Sequence, residues 1–175
     1  MKTIVVYTSQ TGFTRRYAKW IANRLSADIL DLNEAKKKDM SGYDAIIYGG
    51  WACAGNISKI SWFKGNIDKW KDKKLAAFCV GGSPMDTPDI NATISKGFSK
   101  EELKKVKLFY CPGGFNYDEM SASSKVMMKL FIKALKAKKD KTEDDETMIK
   151  MISQSYDISD EKYIDPIISY IEGDD

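Results

Sequence analysis

The sequence contains no histidine among its 175 residues. This absence excludes a serine–histidine pair and removes both the commonest general base and the usual zinc ligand, so no metal site is predicted. The sequence also has no apolar run long enough to cross a bilayer, and we expect no membrane-spanning helix. The formal net charge is only +3, which is too small to indicate nucleic acid as a partner.

Cysteine is scarce as well. The chain has three, Cys53, Cys79 and Cys111. An odd number of widely spaced cysteines favours free, mostly buried thiols in a reducing cytosol. The first residues, "MKTIVVYTSQTG", include a short apolar run but no small-residue cleavage site, so we interpret them as a strand and not as a signal peptide. Together these features predict a cytoplasmic location.

Five short apolar runs alternate with helical patterns along the chain. The runs are "KTIVVYT", "ADILDL", "YDAIIYGG", "KKLAAFCVGG" and "KLFYCPGG". Between them, residues 12–26, "SKISWFKGNIDKW" and "TPDINATISKGFSKEELKKV" read as helical segments. Strands that alternate with helices form parallel βαβ units, and nearly continuous apolar strands are buried on both faces. The pattern therefore predicts one α/β domain over residues 1–175.

Small and polar residues follow four of these runs. The segments are "TSQTG", "GGWACAGN", "GGSPMDT" and "PGGFNY", each at the carboxyl end of a strand. Ligands of open α/β sheets bind in the crevice at those ends, and glycines let backbone amides approach a ligand closely. Any one of these loops could be a plain turn, but four on one edge predict a ligand site.

The first of these loops precedes a helix N-terminus, where free amides and the helix dipole favour an anion. Ser9, Thr11 and Thr14 can add hydroxyl hydrogen bonds, although Thr11 could equally be only an N-cap. Arg15 and Arg16 oppose the dipole, which fits either a nearby anion or two solvated cations. The loop is neither a Walker A sequence nor GxGxxG, which argues against a nucleoside triphosphate and a classical dinucleotide.

The segment "SQTGFT" resembles the phosphate loop of flavodoxins, and "GGWACAGNIS" and "VGGSPMDTPD" fall where flavodoxins place their second and third flavin loops. The resemblance implies a flavodoxin-like three-layer α/β sandwich with a five-stranded parallel sheet in the order 2-1-3-4-5, and FMN as cofactor. It implies backbone-amide contacts to the flavin ring from Trp51, Ala52, Gly81, Gly82 and Ser83. The full set of implied cofactor-binding residues is Ser9, Gln10, Thr11, Gly12, Phe13, Thr14, Gly50, Trp51, Ala52, Cys53, Ala54, Gly55, Gly81, Gly82 and Ser83.

The sequence departs from the small electron carriers of this family, which are strongly acidic and often stack a third-loop tyrosine on the flavin. This chain is slightly basic, "GGSPMDTPD" has no aromatic residue, and only Trp51 is expected to cover a face of the ring. Less negative surroundings stabilise an anionic reduced flavin. We therefore expect two-electron transfer between an organic substrate and a quinone or similar acceptor. A one-electron carrier of the flavodoxin type is the alternative.

The chain continues past the fifth strand with an extension over residues 118–157. A helix over residues 121–139 is predicted to carry an apolar face and a lysine stripe. The strongly charged segment "KAKKDKTEDDE" is predicted to be an exposed loop. The apolar positions are Met127, Leu130, Phe131, Ala134 and Leu135, and the basic ones Lys125, Lys129, Lys133 and Lys136. Such a helix either contacts an anionic membrane, at its inner face, or packs on the sheet with solvated lysines. A later helix, "SDEKYIDPIISYI", has Ser159 as a plausible cap, and Pro166 either kinks or starts it.

This extension resembles that of the menaquinone-dependent protoporphyrinogen oxidase branch of flavodoxin-like proteins. The resemblance implies a porphyrinogen as substrate and a membrane quinone as acceptor. Tyr117 and Asp118 lie near the expected ligand edge and could take part in the chemistry, although a tyrosine at a strand exit more often packs. The residues themselves identify no catalytic acid or base.

Overall fold

Five parallel strands form the main sheet of the computed structural model, which describes residues 1–53, 55–88 and 90–173. In chain order the strands are β1 (Thr3–Tyr7), β2 (Asp28–Asp31), β3 (Ala45–Cys53), β4 (Asn56–Ile57), β5 (Lys74–Gly81), β6 (Val106–Pro112), β7 (Gly114–Phe115) and β8 (Tyr156–Asp157). The sheet order is β2-β1-β3-β5-β6, with β4 paired antiparallel to β3. Counted over the parallel strands alone, this order is the predicted 2-1-3-4-5, and the fold prediction is confirmed.

The register of the strands brings their carboxyl ends to one edge. Tyr7 pairs with Gly49, Gly49 with Phe78, and Gly81 with Pro112. Side chains of β1, of β5 and of the first six residues of β3 are almost all buried, as expected of parallel strands covered on both faces. The loops that follow these strands therefore emerge side by side.

Helices cover both faces of the sheet. They are α1 (Phe13–Leu25), α2 (Leu32–Ala35), α3 (Ser61–Lys64), α4 (Ile90–Ser95), α5 (Lys100–Leu103), α6 (Ala122–Ala137), α7 (Glu143–Ile152) and α8 (Asp165–Glu172), with 3-10 turns at Ile67–Trp70 and Glu161–Ile164. On one face α1 and α8 pack their apolar side chains, including Tyr17, Ile21 and Ile167, against the sheet. On the other face α2, α3 and α4 form a second core with Tyr48, Phe63 and Trp70.

Two predicted helical segments are broken in the structure. The first divides into α3 and the 3-10 turn around Gly65 and Asn66, although all four of its apolar positions, Ile60, Phe63, Ile67 and Trp70, are buried. The second divides into α4 and α5, because Ser99 and Glu102 form a capping box that starts a new helix.

The prediction of an exposed loop for "KAKKDKTEDDE" is wrong for the second half of this segment, which forms the first turn of α7. Thr142 caps that helix and shares a capping box with Asp145. The four acidic residues of the first turn complement the positive end of the helix dipole. A strongly charged run therefore begins a helix here instead of remaining a loop.

The last part of the chain returns to the sheet. β8 pairs antiparallel with β7, and α8 then packs beside α1. Asp160, and not Ser159, caps the 3-10 turn that leads into α8. Pro166 lies at the start of α8, where its missing N–H costs nothing. In the described ranges, no helix combines the length and the apolar character that crossing a membrane requires.

Candidate functional site

A cleft of about 190 Å³ opens at the carboxyl edge of the sheet. Eight of the residues predicted to bind the cofactor line it: Gln10, Thr11, Phe13, Thr14, Trp51, Ala52, Gly81 and Gly82. Val80, Gly114, Phe115 and Met120 complete the lining. The structure therefore brings parts of all three predicted loops to one place.

The first loop presents free backbone donors to this cleft. Gly12 adopts the left-handed conformation (φ 93°), and its N–H donates to Ser9 Oγ over 3.2 Å. Neither Thr11 nor another side chain caps α1, and the N–H groups of Gln10, Thr11, Phe13 and Thr14 meet no acceptor within the described ranges. Ser9 and Gly12 thus shape the loop, while the remaining amides are available to an anion.

The two arginines after this loop have different surroundings. Arg16 Nη1 lies 2.5 Å from Asp157 Oδ2 and donates to Ser159 Oγ at 2.6 Å, so its counter-ion is a carboxylate of β8. Partial burial raises the pKa of the Asp157 carboxyl, but hydrogen bonds from Ser159 and Arg16 outweigh it, and the net shift is downward. Arg15 is exposed and forms no ion pair with any described residue. Arg16 therefore links α1 to the C-terminal part of the chain through an ion pair and a hydrogen bond.

The second loop is a tight hairpin between β3 and β4. A side chain at Gly50 would come within 2.7 Å of Ile57 Cγ2, so only glycine fits there. The Trp51 N–H, which was predicted to contact the flavin ring, donates to Ser58 Oγ at 3.0 Å. Trp51 and Ala52 both line the cleft.

Two predicted residues of the hairpin, Cys53 and Gly55, are absent from the cleft lining. Cys53 pairs with Asn56, is exposed and lies outside the cleft lining. Gly55 forms the turn with φ 76°. Ala54 lies outside the described residues. Cys79 and Cys111 are buried, and all three cysteines are free thiols.

Two tyrosine hydroxyls form hydrogen bonds with the backbone of the third loop. Tyr110 Oη donates to the Ser83 carbonyl at 2.8 Å and accepts from the Ser83 N–H at 3.0 Å. Tyr156 Oη donates to the Gly82 carbonyl at 2.5 Å, and burial raises the pKa of Tyr156 to about 12. The Ser83 amide, which was predicted to contact the ring, is therefore bonded to Tyr110 in this structure.

Phe115 is the aromatic residue that the sequence analysis missed. It lies in β7, just after the fifth parallel strand, and lines the cleft with Trp51. Its ring packs against Tyr156 at 5.6 Å and against Tyr117 at 6.4 Å between centroids. The signal for it is in "PGGFNY", which predicts a loop at this edge of the sheet and contains an aromatic residue beside two glycines.

The two residues considered for the chemistry do not line the cleft. Tyr117 Oη donates to the Ile152 carbonyl, and burial raises its pKa, so this side chain packs. Asp118 is exposed. In the described ranges no cluster of acidic or cysteine side chains could hold a metal ion.

All twelve residues that line the cleft are uncharged. The Arg16–Asp157 ion pair lies in an adjoining hollow of about 300 Å³ that shares Thr11, Phe13 and Phe115 with the cleft. Because these two charges neutralise each other, this pair adds little net charge beside the cleft.

A parallel sheet in this order, with the ligand crevice at the carboxyl ends of its strands, is the arrangement of flavodoxin-like proteins. The sequence model of the family described as flavodoxin domain matches residues 4–142. The chain therefore belongs to the flavodoxin-domain family. No curated protein matches its sequence.

Several solved structures are similar to this chain. A flavodoxin, WrbA-like protein from Agrobacterium tumefaciens is 21% identical, with a TM-score of 0.49 over 70% of this chain and 86% of its own. The Trp repressor binding protein of Bacillus subtilis is 17% identical, with a TM-score of 0.48 over 67% and 88%. A flavoprotein from Lactobacillus acidophilus, in complex with FMN, is 15% identical, with a TM-score of 0.43 over 62% and 90%. Likeness at this level says nothing about the function of this chain.

Proposed function

We propose that the protein is an FMN-dependent oxidoreductase that transfers two electrons between an organic substrate and a quinone or similar acceptor. The observation that carries the proposal is the set of unbonded N–H groups within residues 10–14, which lie at the cleft and suit a phosphate. Membership of the flavodoxin-domain family supports the same cofactor. When bound, FMN supplies the redox chemistry, and the protein positions it and tunes its electronics.

Each loop has a distinct task in this proposal. The amides of Gln10, Thr11, Phe13 and Thr14 hold the phosphate, because they are the donors that the fold leaves without an acceptor. Trp51 and Phe115 offer aromatic surface to the flavin ring, and Gly81 and Gly82 let the backbone come close to it. Tyr110 and Tyr156 keep the third loop in place before the cofactor arrives.

The number of electrons is inferred from the charge around the cleft. A carboxylate beside the ring would disfavour the anionic, fully reduced flavin, and none of the lining residues carries one. The uncharged lining therefore favours complete reduction over a stable half-reduced state. Family membership is the observation that favours the alternative, a one-electron carrier of the flavodoxin type.

Stepwise photoreduction of the FMN-loaded protein separates these two functions. We expect almost no one-electron-reduced flavin in the visible spectra, followed by rapid reoxidation on addition of menadione. Free FMN, treated in the same way, is the control for reactions that need no protein. A persistent one-electron-reduced form together with slow reoxidation by the quinone would instead support the electron carrier.

A porphyrinogen is the organic substrate that the C-terminal extension suggests. Its support is the α6–α7 hairpin, which follows the fifth parallel strand and begins at the cleft, where Gln10 Nε2 donates to Ser121 Oγ at 3.0 Å. The proposal is tested by following porphyrin fluorescence with protoporphyrinogen and menadione. Oxidation no faster than with free FMN would contradict this substrate and leave the FMN proposal standing.

A further inference from the structure

We infer that α6 is a docking surface for an anionic lipid bilayer. This inference goes beyond the proposed function and does not require a bound flavin. It begins with the packing of α6, which has no buried residue along its 16-residue length and packs mainly against α7. The helix therefore contributes almost nothing to the core, and its composition needs another explanation.

Exposed apolar side chains are concentrated on this hairpin. Val126 is 57% exposed, Met127 64%, Leu130 63% and Phe131 47%, and Met148 of α7 is also exposed. Only three other large apolar side chains of the described ranges are exposed, Met1, Met85 and Leu103. Large apolar side chains grouped on one exposed face mark a surface that contacts a partner or a membrane.

The charge of α6 indicates the chemistry of that partner. The helix contains Lys125, Lys129, Lys133 and Lys136 and no acidic residue. These positions are three or four residues apart, so the lysines form a stripe beside the exposed apolar side chains. None of the four forms an ion pair with a described residue, whereas Lys138, just after the helix, is paired with Asp145 at 2.7 Å. Four unpaired cations beside an apolar stripe complement an anionic lipid surface.

A second copy of the chain fits this surface less well. Two α6 helices facing each other would bring together two sets of four lysines, with no carboxylate on either helix to neutralise them. The acidic first turn of α7 lies past the C-terminal end of α6, and its Asp145 is already bonded to Lys138. Lipid phosphates, by contrast, can neutralise every lysine while the acyl region accepts the apolar side chains.

The length of α6 sets how it would lie. A helix of 16 residues is about 24 Å long, and within the described part of the chain no helix meets the requirements for crossing a membrane. It would rest in the plane of the interface. Its N-terminus adjoins the cleft, since Gln10 Nε2 donates to Ser124 Oγ at 3.1 Å and Met120 lines the cleft. Docking would therefore bring the cleft close to the bilayer surface.

Vesicle flotation of the full chain tests this inference. We expect the protein to float with vesicles of equal parts phosphatidylcholine and phosphatidylglycerol, and to remain behind with phosphatidylcholine alone or at high salt. Lys129→Ala with Lys133→Ala should lower the partition coefficient about thirtyfold, since each lysine near an anionic surface contributes independently. Leu130→Ser with Phe131→Ser should lower it at least about tenfold, because less apolar surface enters the interface.

Matched controls are available outside the hairpin. Lys36→Ala with Lys37→Ala removes two exposed lysines, and Leu103→Ser removes an exposed apolar side chain. Both should float like the parent, and circular dichroism should show all variants folded. Failure of the parent to float would overturn the inference, as would equal losses in the controls. The parent could instead fail to bind lipid and form a concentration-dependent dimer. If Leu130→Ser with Phe131→Ser abolished that dimer, the face would be assigned to a second copy of the chain.

Discussion

Gly12 is the residue on which the shape of the first loop depends. Its φ of 93° places it in the left-handed region, and the residues on either side of it, which line the cleft, keep amides that are bonded to no described residue. Any other residue is strained in this conformation, although the space around Gly12 is open. The backbone angle, and not packing, therefore requires glycine.

Replacement of Gly12 by Ala should cost about 1–2 kcal/mol of unfolding free energy, the strain of a left-handed residue. Gly42→Ala is the matched control, because Gly42 is also surrounded by open space but has no positive φ. We expect its stability to be unchanged or slightly raised. Urea denaturation of the cofactor-free protein measures both. Equal stability of the two variants would show that the loop relaxes without strain.

Thr11 tests the role of the same loop in binding. A carboxylate introduced by Thr11→Glu would lie among the unbonded amides and repel a phosphate there. FMN affinity should fall at least about a hundredfold, because juxtaposed like charges cost several kcal/mol. Thr147→Glu, at an exposed site on α7, adds the same charge outside the cleft and should bind FMN normally. Unaltered affinity of Thr11→Glu would place the phosphate elsewhere.

At the scale of elements, tyrosine hydroxyls connect the loops of the site to the strands behind them. Tyr110 of β6 makes two hydrogen bonds with Ser83, and Tyr156 of β8 bonds to Gly82. Tyr17 of α1 donates to the Pro112 carbonyl at 2.5 Å and accepts from the Asp160 N–H. These bonds link the third loop, the first helix and the C-terminal segment into one frame around the cleft.

Removal of one such bond should loosen the site without unfolding the sheet. Tyr110→Phe leaves both the amide and the carbonyl of Ser83 without their partner, which costs about 1–3 kcal/mol locally. Hydrogen exchange at the Ser83 amide should accelerate, and FMN should bind more weakly. Tyr163→Phe is the control, since the Tyr163 hydroxyl makes no hydrogen bond to any described residue. Unchanged exchange at Ser83 in Tyr110→Phe would contradict the proposed frame.

At the scale of the whole molecule, the sheet could be predicted because parallel strands are buried on both faces and appear as apolar runs. The place of the first loop at the carboxyl end of β1, before α1, could be predicted from its glycine and hydroxyl residues between an apolar run and a helical pattern. The partner of Arg16 could not, since Asp157 lies 141 residues further along the chain and only the folded structure brings them together. The periodicity of α6 likewise showed an apolar face, but not that this face remains exposed.

The most direct test of the central claim compares FMN with riboflavin, which has the same ring and no phosphate. Fluorescence-quenching titrations of the cofactor-free protein should show binding of FMN and at least about tenfold weaker binding of riboflavin, because charge-assisted bonds to the loop amides are lost. Equal affinity for the two flavins, or no quenching of either, would contradict the claim that residues 9–14 hold the phosphate of FMN.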